Sequence, residues 1–161
     1  MLNVRLVGDR ELVARINAMP AQVRRELLRK VTELSIKLEA KVKGKVSGPV
    51  LKVRTGALRR SIFHRVEVTD TSVVGSVASS GDVKYAAIHE FGGVTKPHVI
   101  EPVKAKVLAF MVGGKRVFAR KVNHPGSRIP ERSFLRSSLA DMKDEIAVGL
   151  KDAIRKGLSQ R

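Results

Sequence analysis

Residues 21–43 read AQVRRELLRKVTELSIKLEAKVK, and the fold turns on them. Val23, Leu27, Val31, Leu34, Leu38 and Val42 follow one another at spacings of 4, 4, 3, 4 and 4. That rhythm puts them on one stripe of an α-helix. Arg24, Arg25, Arg29, Lys30 and Lys37 lie mostly off the stripe. Gly44, Gly48 and Pro49 end the helix. Upstream, LNVRLV at 2–7 alternates like a short strand. Asp9 is then an N-cap with Glu11 in the first turn of a helix to about Met19, and Pro20 predicts a kink or a restart. A second stripe lies far downstream, at Leu135, Leu139, Met142, Ile146, Leu150 and Ile154, spaced 4, 3, 4, 4 and 4. Pro130 and Glu131 read as the opening of that last helix.

The residues between the stripes are rich in strand formers. SIFHRVEV at 61–68 and SVVGSVA at 72–78, joined by TDT, read as an antiparallel hairpin. Ile62, His64, Val66 and Val68 share one face of it, and Gly75 predicts a bulge or a close approach. KYAAIHEF at 84–91 reads as a short helix stopped by Gly92-Gly93. VTKPHVIEPV at 94–103 is extended because of its prolines. KVLAFMV at 106–112 and KRVFARKV at 115–122 flank Gly113-Gly114, the signal of a type I′ hairpin, and NHPGSRIP at 123–130 is a loop. The expected class is α+β. A four-stranded, mostly antiparallel sheet packs against the long N-terminal helix, kinked near Pro20, and the C-terminal helix.

At 161 residues the chain is expected to be a single domain, residues 1–161. Its 43% apolar and 29% charged residues suit a globular fold. Without a cysteine it has no disulfide, thiol nucleophile or cysteine-based metal centre. No apolar run is long enough to span a bilayer, and MLNVRLVGDRELV lacks the apolar core of a signal peptide, so a soluble protein with no membrane partner is expected.

Lys and Arg number 32 against 15 acids, a net charge of +17. The excess is unevenly placed: +6 over 1–46, +5 over 47–66, −3 over 67–95, +8 over 96–136 and +1 over 137–161. Such segregation suits a protein with one face toward nucleic acid or an acidic neighbour. Two basic segments, 44–60 and 113–128, are expected to be mobile and to carry the contacts. The candidates are Lys52, Arg54, Arg59 and Arg60 in the first, and Lys115, Arg116, Arg120, Lys121 and Arg128 in or beside the second.

Little in the sequence speaks for chemistry. His64, His89, His98 and His124 include no pair at helical metal spacing, and no carboxylate or Cys accompanies them at motif spacing, so no metal or other cofactor is expected. Asp70, Asp82, Glu90 and Glu101 are scattered among loops, with only Glu101 followed closely by a lysine, Lys104, which leaves a nuclease the weakest reading. There is no GxSxG, GxGxxG or GxxxxGK[ST]. Five of the six aromatics are Phe and expected in the core, which disfavours base-stacking on single strands.

Three blocks, however, form an ordered set. Val53-Arg54-Thr55-Gly56-Ala57-Leu58-Arg59-Arg60-Ser61-Ile62 resembles the TGxLxxSI block of the head–tail joining, or tail-completion, proteins of tailed bacteriophages. Tyr85-Ala86-Ala87-Ile88-His89-Glu90-Phe91-Gly92 is similar to their YAxxxEFG block. His124-Pro125-Gly126-Ser127-Arg128-Ile129-Pro130-Glu131-Arg132-Ser133-Phe134-Leu135 is similar to the block that opens their last helix. The likeness covers about residues 10–155. One departure is Ser133, where Pro is common; it is expected to be inconsequential because Pro130 already sets the helix start.

The resemblance implies a non-catalytic minor tail or neck protein of the virion, assembled in the host cytoplasm. It implies a ring of this chain, a hexamer by tail geometry. The partners are connector or stopper proteins above and tail terminator or tube proteins below, with transient contact to genomic DNA. The motif residues Thr55, Gly56, Leu58, Ser61, Tyr85, Glu90, Phe91, Gly92, Pro130, Phe134 and Leu135 are read mainly as fold determinants. Thr55 caps by its hydroxyl, Gly56 takes positive φ, Tyr85 and Phe91 bury on one side of the short helix, and Glu90 bonds backbone amides or a basic side chain. A sequence-nonspecific DNA-binding protein is the alternative.

Overall fold

The long amphipathic helix is present, and most of the fold is arranged around its stripe. A computed structural model of the chain describes residues 2–5, 21–48, 50–69, 72–103 and 105–159. Strand β1 (Leu2–Arg5) is followed, beyond residues outside that set, by helix α1 (Ala21–Lys45). The expected helix from Asp9 to Met19 and the kink at Pro20 lie outside the described residues. All six stripe positions of α1 are buried, and Ser35 joins them.

A short helix α2 (Ala57–Ser61) leads into β2 (Ile62–Val68) and β3 (Val73–Ser79). β3 is the centre of a three-stranded antiparallel sheet in the order β1-β3-β2. Its register runs from Ile62↔Ser79 to Val68↔Val73 without a break, so Gly75, opposite Val66, marks no bulge. The reason for glycine there is proximity: a Cβ would come within 2.3 Å of the Ser35 hydroxyl and 3.0 Å of Val31 on α1. The helix therefore lies close against the middle of the sheet.

After α3 (Ala86–Phe91) come β4 (Gly93–Val94), β5 (His98–Ile100), β6 (Leu108–Val112), β7 (Lys115–Ala119), β8 (Val122–His124) and β9 (Arg128–Ile129). These pair as nested antiparallel ladders: β6 with β7, β5 with β8, β4 with β9. Residues 93–103 and 105–129 thus form an interrupted two-stranded arm whose tip is Gly113-Gly114, both at positive φ (56° and 80°), as a type I′ turn requires. The α+β class holds, with its two helical stripes and antiparallel strands. The strand count differs: the second hairpin does not extend the sheet into a fourth strand. Its flanks find their partners in each other, and neither of its faces is fully apolar. Met111 and Phe118 on one side, and Val112 and Val117 on the other, stay exposed beside Lys115 and Arg116.

Helices α4 (Leu135–Asp141) and α5 (Lys143–Ser159) complete the described chain. The expected single helix is broken at Met142, yet the stripe runs through the break, with Leu135, Met142 and Ile146 buried. The start is also later than expected. Glu131 is four residues short of the first turn, and Phe134, not Pro130, is the N-cap. α5 lies along α1. Gly157 meets Val23 so closely that a Cβ would fall 2.4 Å from the Val23 Cα. The main core joins Leu34, Leu38, Val42, Val46, Leu51, Leu58, Ile62, Val77, Phe134, Leu135, Met142 and Ile146. A smaller one, of Val23, Leu27 and Ala153, sits between α1 and α5.

Candidate functional site

The second and third sequence blocks meet at one carboxylate. Glu90, on the last turn of α3, has no solvent exposure. Its oxygens accept three consecutive backbone N–H groups at the start of α4: Phe134 (2.8 Å), Leu135 (2.9 Å) and Arg136 (2.9 Å). The Ser133 hydroxyl (2.8 Å) and the Arg136 Nε (3.2 Å) donate to it as well. A helix start leaves its first N–H groups without partners and carries partial positive charge, so a buried carboxylate from another element answers both needs. Burial alone would raise the Glu90 pKa. The amides of Arg136, Leu135 and Phe134 and the Ser133 hydroxyl outweigh it and hold the carboxyl below the usual range.

The junction has a second layer. Arg136 Nη2 donates to the Glu90 carbonyl (2.9 Å) and to Glu131 (2.7 Å), and its guanidinium lies 4.7 Å from the Phe91 ring centroid. The Arg132 N–H donates to the His89 carbonyl (2.8 Å). Ser133 also accepts the Ser137 N–H at 3.2 Å. A proline at 133 has no hydroxyl and could do neither job, so Ser133, expected to be inconsequential, takes part in the junction. Gly92, at φ 69° and ψ −176°, lets the chain turn away beneath Glu131, whose N would be 2.9 Å from a Cβ there.

Two motif aromatics depart from expectation. Tyr85 is 44% and Phe91 53% exposed, so neither buries on one side of α3. The buried positions of that helix are Ala86 and Glu90, because the helix turns its polar cap inward. Nor are the phenylalanines mostly core: Phe134 is fully buried, while Phe118 on the arm is 62% exposed. In the first block, Gly56 has φ 70° as expected, and the Thr55 hydroxyl accepts the Ala57 N–H at 3.3 Å. Leu58 is buried, and Ser61 bonds the Leu58 carbonyl and the Ser79 hydroxyl, both at 2.8 Å. Pro130 is exposed, and Leu135 is buried beside Phe134.

The basic candidates divide between two places. Lys115, Arg116, Arg120 and Lys121 lie on the outer part of the arm, and Arg128 on its base, all exposed. Lys52, Arg54 and Arg59 line an open cleft of about 960 Å³, between residues 46–59 and the α3 end of the second block. Tyr85, His89 and Arg132 complete its wall, and the buried Val46, Leu51 and Leu58 form an apolar floor. Among the described residues, no acidic side chain lines the cleft. Arg60 stands outside it, bonded to the Thr55 carbonyl at 3.1 Å. His89 stacks edge-on to Tyr85 at 6.0 Å, and its buried Nδ1 has no partner among the described residues. Burial, with repulsion from Arg132, lowers its pKa. Sequence reasoning passed over His89, Ser133, Arg132 and Arg136 as members of this region. The place of His89, Arg132 and Ser133 inside the second and third blocks was the signal of it; Arg136, one residue past the third block, had none.

The other chemical candidates stand apart. Glu90 has its carboxylate filled by five donors, and Asp82 and Glu101 are exposed loop residues. Asp70 and Lys104 lie outside the described residues. His98 and His124 stack across β5 and β8 with ring centroids 5.0 Å apart. Among the described residues, no three His, Asp or Glu side chains are grouped to hold a metal ion. No described helix is long and apolar enough to cross a membrane. No family model, curated protein or solved structure matches this chain.

Proposed function

We propose that the chain is a structural component of a tailed-phage virion. More specifically, it forms a ring, a hexamer by tail geometry, that joins or completes the tail at the head–tail interface. The observation that carries this reading is the Glu90 junction. Two sequence blocks that resemble the joining family interlock there: the motif residue Glu90 of one accepts the backbone N–H groups of the motif residues Phe134 and Leu135 of the other, more than forty positions downstream. Motif residues that serve the fold are what a non-catalytic family would retain. The arm adds support: a basic ribbon with exposed Met111, Val112 and Phe118 suits burial against a neighbouring subunit or an adjoining ring. The ring's partners in this reading are connector or stopper proteins on one side and tail terminator or tube proteins on the other, with the genome passing through.

The test is to image the neck of purified particles with and without this chain. Ring density between connector and tail, lost together with tail attachment on deletion, is the expected result; absence from particles overturns the reading. A Lys115→Glu/Arg116→Glu/Arg120→Glu variant is expected to fold and to fail in joining. The second reading, nonspecific DNA binding, is favoured by the arm's cations, none of which is ion-paired among the described residues. It predicts saturable duplex binding at physiological salt with a steep salt slope.

A further inference from the structure

We propose that the cleft between residues 46–59 and Tyr85–His89 is a docking site for an acidic peptide segment of a partner protein, one that carries an aliphatic anchor among its carboxylates. Charge complementarity is the first argument. Lys52, Arg54, Arg59 and Arg132 stand around the cleft. Among the described residues, no acidic side chain lines it and none of the four takes part in an ion pair. Along α1, by contrast, cations and acids pair at short range, as in Lys37–Glu145 (2.8 Å), Lys45–Asp141 (2.8 Å) and Lys156–Glu26 (3.0 Å). Here four cations are left to meet charge from outside.

The second argument is shape. A volume of about 960 Å³ over an apolar floor of Val46, Leu51 and Leu58 admits an aliphatic side chain with backbone on either side. Val53, 50% exposed, and the open face of Tyr85 extend that apolar surface toward the rim. Duplex DNA has no use for such a floor. Its phosphates follow exposed ridges, and the arm, not the cleft, offers one. A peptide with alternating carboxylates and leucines satisfies rim and floor together. The site belongs to the chain alone, so its binding does not depend on the ring.

The experiment is fluorescence anisotropy at physiological salt with three labelled probes: a Glu/Leu peptide, a Glu/Ser peptide of equal charge, and a short DNA duplex. The Glu/Leu peptide is expected to bind saturably and the Glu/Ser peptide about tenfold more weakly. Arg54→Glu/Arg59→Glu weakens Glu/Leu binding by about tenfold or more, whereas Lys115→Glu/Arg116→Glu, an equal change in net charge, leaves it within about twofold. Tyr85→Ala also weakens it. All these positions are exposed, so circular dichroism should match the parent and thermal unfolding should not fall below it; if the Glu pair misfolds, Arg54→Gln/Arg59→Gln decides. Equal losses in both charge-reversed variants, equal binding of the two peptides, or duplex binding that alone responds to the cleft variant each overturn the proposal. A virion ring that binds no peptide, or a peptide binder absent from virions, separates this site from the ring reading.

Discussion

Glu90 is a buried anion whose counter-charge is mostly backbone. Three N–H groups of α4 and the Ser133 hydroxyl meet it at 2.8 to 2.9 Å. Glu90→Gln keeps the size but turns an NH₂ group toward donors, so it is expected to lower the unfolding free energy by about 2–4 kcal/mol, read from urea midpoints. The pH dependence has a definite sign. The folded pKa is lowered, so the stabilisation is complete above the ordinary carboxylate pKa and is lost as pH falls through the lowered value. Glu26, Glu33, Glu39 and Asp141 are lowered as well. Urea midpoints through the acid range should therefore fall for both proteins, but less steeply for Glu90→Gln. Gly92 adds a backbone prediction. At φ 69° and ψ −176° it occupies a region that is nearly exclusive to glycine. Gly92→Ala should cost about 1–3 kcal/mol by the same measurement.

Among elements, α1 and α5 pack closely. Gly157 lets the helices approach until a Cβ would lie 2.4 Å from the Val23 Cα. Gly157→Ala must push them apart, with an expected loss of about 1–3 kcal/mol measured by thermal or urea unfolding. Helical periodicity made both of these elements readable in advance, because spacings of 3 and 4 survive whatever the partner is. Gly75 gave a true hint of close approach, because a glycine amid strand formers weakens the strand unless a neighbour needs the space. The arm was less legible. The turn at Gly113-Gly114 was plain, but β4, β5, β8 and β9 are two or three residues long and lie among Pro97, Pro102, Pro125 and Pro130, too short for any alternation to register. The Glu90 cap was legible only as a capacity. A carboxylate followed by Phe-Gly says nothing about the helix start more than forty residues downstream, so Pro130 was assigned a task that Glu90 and Ser133 perform.

On the scale of the whole molecule, +17 charges act on one another across the surface. Half of the ion pairs among the described residues are exposed at both partners and contribute little, and 15 acids cannot offset 32 cations, so repulsion dominates the field. Raising ionic strength from near zero to physiological shortens the screening length to about 8 Å. The unfolding temperature is expected to rise over that range, and a fall would show that local pairs outweigh the net charge. The class, α+β, was readable because both stripes and the hairpin demand one shared apolar layer; the cleft was not, because its walls come from three distant blocks. The pairing of α1 with α5 also has a consequence in time. On the ribosome α1 emerges more than a hundred residues before α5, yet the partners of Val23 and Leu27 lie at Ala153 and Gly157. Until those residues leave the exit tunnel, that end of the first helix lacks its α5 partners and presents aliphatic surface to solvent, which makes the nascent chain a natural client for a chaperone that shields unfinished proteins.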